Sequence, residues 1–122
     1  MHITLDGQVT RNHRVLYHER SLAGLLHLAA AVLQMSTIGE PYIVRYLGRT
    51  KEEAGLSGVL FIAESSIVAH SYPEYNYIYL DLFSCKDILP DAVTYLRKHL
   101  GLTKSVKHIL PDRGKTHLEV EH

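Results

Sequence analysis

The chain has 122 residues, enough to bury one hydrophobic core and not two, so a single domain over residues 1–122 is expected. Thirteen basic and thirteen acidic side chains cancel, which removes the broad positive field that announces a nucleic-acid or anionic-membrane partner. No apolar run is long enough to span a bilayer, no basic stretch leads into an apolar one at the start, and the lone Cys85 cannot form an internal disulfide; a reducing, cytoplasmic location follows as the expectation.

Residues 2 to 8 alternate loosely and read as a first strand, followed by a polar connector from Thr10 to Arg20. Leu22, Leu25, Leu26, Ala29, Val32 and Leu33 then recur at three- and four-residue spacing, the apolar stripe of a helix that Ser21 is placed to cap and Gly39 to follow. Tyr42 to Leu47 is a β-branched and aromatic run, closed by the polar segment Gly48 to Gly55. Gly58 to Ala63 gives the next strand, and Ile67 to His70 a further extended segment that ends where Pro73 turns the chain. Over residues 75 to 83, Ile78, Leu80 and Leu82 fall on one face, and Tyr77, Tyr79, Asp81 and Phe83 on the other. A second helix is expected from about Asp87 to Leu100, with Pro90 in its first turn, Ala92, Val93, Leu96 and Leu100 on its apolar face, and Gly101 at its end. Ser105 to Leu110 alternates as a last strand, and a frayed polar tail is expected from Pro111. The order of elements predicts an α+β fold, a two-layer sandwich in which two helices pack on one face of a mainly antiparallel sheet.

Such a fold hosts many activities, so function must be argued from particular residues. The nine histidines are scattered without the short paired spacings of a zinc site, and no metal is expected. Taken singly, Ser65 reads as a turn residue, His70 as a strand histidine, Cys85 as a small buried thiol, and Ser57 and Glu74 as surface residues. Their mutual spacing is more specific. A Glu64-Ser65 pair is followed by His70 five residues after the serine, by Pro73-Glu74 just behind, and by Cys85 twenty residues after it, while Ser57 lies eight residues upstream.

In these intervals the chain resembles the short prokaryotic S-adenosylmethionine decarboxylases, and a weaker likeness extends from His2 to about Leu110. The resemblance implies a proenzyme that cuts itself between Glu64 and Ser65. The Ser65 hydroxyl attacks the Glu64 carbonyl, and elimination and hydrolysis then leave a pyruvoyl group at residue 65. That group is the implied cofactor. It binds a substrate amine as a Schiff base and takes up the electrons freed by loss of carbon dioxide, which no ordinary side chain can do. In the same reading Cys85 protonates the α-carbon, Ser57 and His70 assist self-cleavage, and Glu74 holds the ribose hydroxyls of the substrate.

The implied substrate is S-adenosylmethionine, whose product donates an aminopropyl group in spermidine synthesis, and the implied assembly is a homodimer with site residues near the subunit boundary. No nucleic-acid or membrane partner is expected. Ser66 stands where the family usually has histidine, residues 48–56 lack the aromatic residue that in the family stacks on adenine, and residues 8–20 also depart from its pattern. A plain amino acid such as arginine or ornithine is therefore the second substrate reading, and a non-cleaving binding or regulatory paralogue the third. One geometric difficulty is visible at once. In a straight strand Ser65 and His70 stand about 16 Å apart, so the chain must bend there or the residues must meet in another way.

Overall fold

The computed structural model describes residues 1–111 and 113, and within them the chain forms six strands and two α-helices. In order they are β1 (His2–Gln8), α1 (Glu19–Val32), β2 (Thr37–Tyr46), β3 (Gly55–Ile62), β4 (Ser65–Tyr72), β5 (Tyr77–Phe83), α2 (Pro90–Leu100) and β6 (Thr103–Leu110). The strands make one sheet in the order β2-β3-β4-β5-β1-β6, and each neighbouring pair is antiparallel. Both helices bury their apolar stripes in a single core with one sheet face, giving the α+β sandwich that the order of elements predicts.

The period-two pattern decides which side chains enter that core. Ile3 and Leu5 of β1, Leu60 and Ile62 of β3, Ile67 and Ala69 of β4, and Ile78, Leu80 and Leu82 of β5 are all buried. From the helices come Leu22, Leu25, Leu26 and Ala29, and then Ala92, Val93, Leu96 and Leu100, the stripes expected from their spacing. Gly58 leaves no room for a side chain between β3 and α1: an added Cβ would lie 2.6 Å from Ile43 Cδ1 of β2 and 3.1 Å from Leu26 Cδ1 of α1.

Several boundaries differ from the expectation. Helix α1 starts at Glu19 with His18 as its cap, so Ser21 lies inside the first turn. A 3-10 turn at Arg14–Leu16 carries the chain into the helix, with the His18 N–H donating to the Arg14 carbonyl and the Leu22 N–H to that of His18. The helix ends at Leu33 and Gln34, the latter at φ +58°, so the left-handed exit is made there. Gly39 belongs instead to β2, where the register with β3 shifts between Ile38 and Tyr42. Helix α2 begins at Pro90, later than Asp87, and ends at Gly101 with φ +61°. A 3-10 turn at Pro73–Tyr75 delays β5 to Tyr77, and β6 starts two residues earlier than expected, at Thr103. Apart from Pro111 and Arg113, the expected frayed tail lies outside the described residues.

The other sheet face is open. It carries Tyr42, Val44 and Tyr46 of β2, Phe61 of β3 and Tyr79 of β5, all exposed, along with the polar Asp6, His70 and Asp81. Among the described residues no helix is long and apolar enough to cross a membrane, and no group of three or more His, Cys, Asp or Glu side chains is arranged to hold a metal ion.

Two consequences for stability follow. Ser71 is a buried polar residue whose hydroxyl accepts from the Leu56 N–H at 3.0 Å and donates to the Leu16 carbonyl at 3.2 Å, tying β4 to β3 and to the turn before α1. Ser71→Ala leaves both backbone groups without a partner and should cost about 1–3 kcal/mol in a denaturant titration. Asp6 on the open face has its carboxyl raised from the ordinary 3.8, chiefly because burial penalises the charge and further because Asp81 repels it. A carboxyl whose folded value is the higher one favours folding when protonated, and that favour is lost as pH rises from about 3.8 through the raised value. Asp6→Asn should therefore raise the melting temperature at pH 7, with the gain disappearing below pH 3.8, where aspartate is protonated in folded and unfolded chains alike.

Candidate active site

The ladder between β3 and β4 places the first group of residues. Ile62 pairs with Ser65, which leaves Ala63 and Glu64 to turn the chain. Glu64 takes φ +61°, a left-handed backbone that costs a side-chain-bearing residue about 1–2 kcal/mol. The Ala63 N–H donates to the Ser36 carbonyl at 3.1 Å, so the turn is held against the connection between α1 and β2.

The ladder between β4 and β5 brings in the second component. Ser66 pairs with Phe83, so the chain leaving β5 passes beside Ser65. There the Cys85 N–H donates to Ser65 Oγ at 3.2 Å, and the Cys85 thiol donates to the Glu64 carbonyl oxygen at 2.8 Å. The segment carrying the cysteine is itself fixed: the Ser84 N–H donates to the Met1 carbonyl at 2.8 Å, the Lys86 N–H to Ser84 Oγ at 2.9 Å, and the Ile88 N–H to Met1 Sδ at 3.3 Å. Glu64, Ser65 and Cys85 share a cavity of about 420 Å³ with Gln34, Met35, Ser36 and Lys86. The arrangement gathers a hydroxyl, a backbone carbonyl and a thiol hydrogen at one peptide bond. This is what acyl transfer from nitrogen to oxygen requires, because negative charge develops on the carbonyl oxygen that the thiol already faces.

Ser57 and His70 form a separate pair. They stand opposite each other in the ladder between β3 and β4, and Ser57 Oγ shares a 2.8 Å hydrogen bond with His70 Nδ1. Strand β4 runs unbroken from Ser65 to Tyr72 and pairs on both sides, so the bend that would unite the two groups within one chain is absent. Five residues of strand put them about 16 Å apart and on opposite faces, since side chains alternate. Ser65 lies on the side of buried Ile67 and Ala69, and His70 is exposed on the open face. Glu74 is more distant still, in the 3-10 turn beyond the far end of β4, bordering a cavity of about 380 Å³ with Arg11, Asn12 and Tyr17.

Gln34, Met35, Ser36 and Lys86 had no signal in the sequence, because their place in that cavity depends on how β2 and β3 pair and on the path after β5. The segment 48–56 contains a 3-10 turn at Lys51–Glu53. Its Arg49, Glu52 and Glu53 border a cavity of about 680 Å³ with Tyr46, Tyr72 and Tyr75, so aromatic surface lies beside the segment although the segment holds none.

The chain is similar to known proteins in sequence and in fold. A relative from Pseudomonas paraeruginosa (strain DSM 24068 / PA7), described as S-adenosylmethionine decarboxylase proenzyme, is 44% identical over 64 residues, 49% of this chain and 38% of its own length. One so described from Thermotoga petrophila is 41% identical over 63 residues, 50% of this chain and 48% of that protein. The matched stretches thus span less than half the length of these relatives. The crystal structure of the adenosylmethionine decarboxylase from Aquifex aeolicus VF5 superposes with a TM-score of 0.74, covering 99% of this chain and 95% of that one at 21% identity, a likeness of fold. The family model described as S-adenosylmethionine decarboxylase matches residues 1–114, and the chain therefore belongs to the S-adenosylmethionine decarboxylase family.

Proposed function

We propose that the chain is a proenzyme that converts Ser65 into a pyruvoyl group and then decarboxylates S-adenosylmethionine. The observation that carries this is the double hold of Cys85 on the Glu64-Ser65 bond, thiol on the carbonyl oxygen and N–H on the hydroxyl oxygen. In the first step Ser65 Oγ bonds to the Glu64 carbonyl carbon, the peptide C–N bond breaks, and an ester remains with a free amine at residue 65. Charge on the tetrahedral oxygen is met by the Cys85 S–H, which needs no rearrangement to donate. Elimination next removes the Cα proton of residue 65 and breaks its Cβ–Oγ bond, freeing Glu64 as a carboxylate. Water then replaces nitrogen, which departs as ammonia.

A pyruvoyl group at this place supplies a carbonyl that condenses with a substrate amine and accepts the electron pair left when carbon dioxide departs. The cavity around residue 65 has room for an amino acid's α-carbon, and the reading has Cys85, which borders it, deliver the proton. The same reading makes the product an aminopropyl donor for spermidine synthesis in the cytoplasm.

Ser57, His70 and Glu74 enter through a second copy of the chain. Within one protomer the Ser57–His70 pair faces away from Ser65, and Glu74 lies more than 20 Å along the strand direction from it at about 3.3 Å per residue. If all of them serve one bond and one substrate, two protomers must share them. The uncovered sheet face, with Tyr42, Val44, Phe61 and Tyr79 exposed beside His70, offers a second copy apolar area to cover. A plain amino acid remains the second substrate reading, favoured by the charged 3-10 turn Lys51–Glu53 where the family places its adenine-stacking aromatic; Tyr46 and Tyr75 beside that turn favour the adenosyl compound.

Intact mass is the first test. Wild type should appear as two fragments, residues 1–64 and 65–122, the second with a blocked start, and should release carbon dioxide from S-adenosylmethionine faster than from arginine or ornithine. Ser65→Ala should stay a single chain near 13.8 kDa with no activity, and Cys85→Ala should cut more slowly and lose turnover by about a hundredfold or more. Faster release from arginine or ornithine would replace the substrate, and an uncut wild type would leave only a binding or regulatory role. Mixing checks the shared site: co-expressed Ser65→Ala and His70→Ala chains should restore cutting of the His70→Ala chain, whose Ser65 is intact, because the partner supplies the histidine. Failure to restore it, with dimers present, would place all the chemistry within one protomer.

A further inference from the structure

In the precursor Cys85 holds two oxygen atoms that belong to different residues, the Glu64 carbonyl oxygen at 2.8 Å from its Sγ and Ser65 Oγ at 3.2 Å from its backbone nitrogen. Self-cleavage makes these two atoms partners in one group. Ester formation joins Ser65 Oγ to the Glu64 carbonyl carbon, and elimination breaks the Ser65 Cβ–Oγ bond with its electron pair going to oxygen. The two oxygens already bound by Cys85 are thus the two oxygens of the carboxylate that ends the first fragment.

We infer that this new terminal carboxylate of Glu64 stays on Cys85 after cleavage and keeps its thiol protonated, which makes Glu64 a positioning residue for the proton-delivery step. The inference rests on the self-cleavage proposed above and goes beyond it. A carboxylate within hydrogen-bond reach binds the S–H proton in a charge-assisted bond and opposes a second negative charge on sulfur. The thiol is thereby kept as an acid at neutral pH, where a thiolate would be a nucleophile toward the nearby carbonyl.

The surroundings do not cancel the effect. The cavity is bordered by the Glu64 side chain from the β3–β4 turn and Lys86 from the cysteine's own segment, whereas Gln34, Met35 and Ser36 from the α1–β2 connection are uncharged; the Met1 ammonium donates to the Ser84 carbonyl beside it, and the reading above adds His70 and Glu74 of a second copy. All of these groups are present before and after cleavage. The terminal carboxylate is the one formal charge that cleavage adds, because the pyruvoyl group formed beside it is neutral.

The test is the pH profile of Cys85 alkylation by iodoacetamide, which reports one site because the chain has one cysteine. Cleaved wild type is compared with the uncut Ser65→Ala chain, and the His70→Ala chain isolated before it splits serves as a second uncut reference. The midpoint for the cleaved form should lie about one pH unit or more above that of either precursor, so that at pH 7 it reacts roughly tenfold more slowly. The rates should converge at high pH. A purely steric change would instead lower the high-pH plateau and leave the midpoint in place. Cleaved protein with an unmoved or lower midpoint overturns the inference and leaves self-cleavage standing, whereas wild type that never splits overturns both.

Discussion

Antiparallel pairing of Ile62 with Ser65 leaves only Ala63 and Glu64 to reverse the chain, and the same ladder, five steps on, sets Ser57 against His70. Slipping that register by one residue would move every side chain of β4 to the opposite face. Ile67 and Ala69 would leave the core, and fully burying a side chain such as that of isoleucine is worth about 1.5–3 kcal/mol. The placing of the Glu64-Ser65 bond is therefore maintained by apolar burial along the strand that follows it. Ser71 strengthens the hold at the far end of the strand, since its hydroxyl satisfies two backbone groups that the core would otherwise leave without partners.

The thiol is positioned by an equivalent device. Strand β5 pairs with both β4 and β1, and its last bond to the chain start, Ser84 N–H to the Met1 carbonyl, fixes the residue immediately before Cys85. Two ladders therefore end beside each other at one end of the two central strands, the first presenting a carbonyl and a hydroxyl, the second an S–H and an N–H. Neither side chain has to be carried on a long loop, and strands position groups more precisely than loops do.

Much of this was written in the residue pattern. The alternation of Ile78, Leu80 and Leu82 and the helical stripe from Leu22 to Ala29 identified buried faces correctly, because burial itself produces those periods. Helix ends were less legible: Ser21 has the chemistry of a cap, but the 3-10 turn at Arg14–Leu16 starts the helix before it, and the left-handed exit falls at Gln34, ahead of the Gly39 expected to follow the helix. The spacing of the site residues carried more geometry than was read from it. Twenty residues from Ser65 to Cys85 is the length of a hairpin that returns the chain to its starting point, as the pairing of Ser66 with Phe83 makes plain. The separation of Ser65 and His70 is an odd number of strand residues, which alone sends them to opposite faces. Lys86 and Gln34 stayed invisible because their positions follow from tertiary pairing that no local pattern encodes.

Opposite faces give the fold a consequence for timing. On the reading proposed above, a newly folded protomer already holds nucleophile, electrophile and oxyanion donor at the Glu64-Ser65 bond, so its backbone is poised but lacks the Ser57–His70 pair. Acyl transfer from an amide to a less stable ester is uphill, and it proceeds to completion only if elimination drains the ester. Elimination needs a base for the Cα proton of residue 65, and the histidine of the same chain points away from it. Cutting is then tied to assembly: a chain that has not met its partner keeps its peptide bond. A chain that has met one makes its reactive carbonyl only inside a completed site, where water and stray nucleophiles have least access.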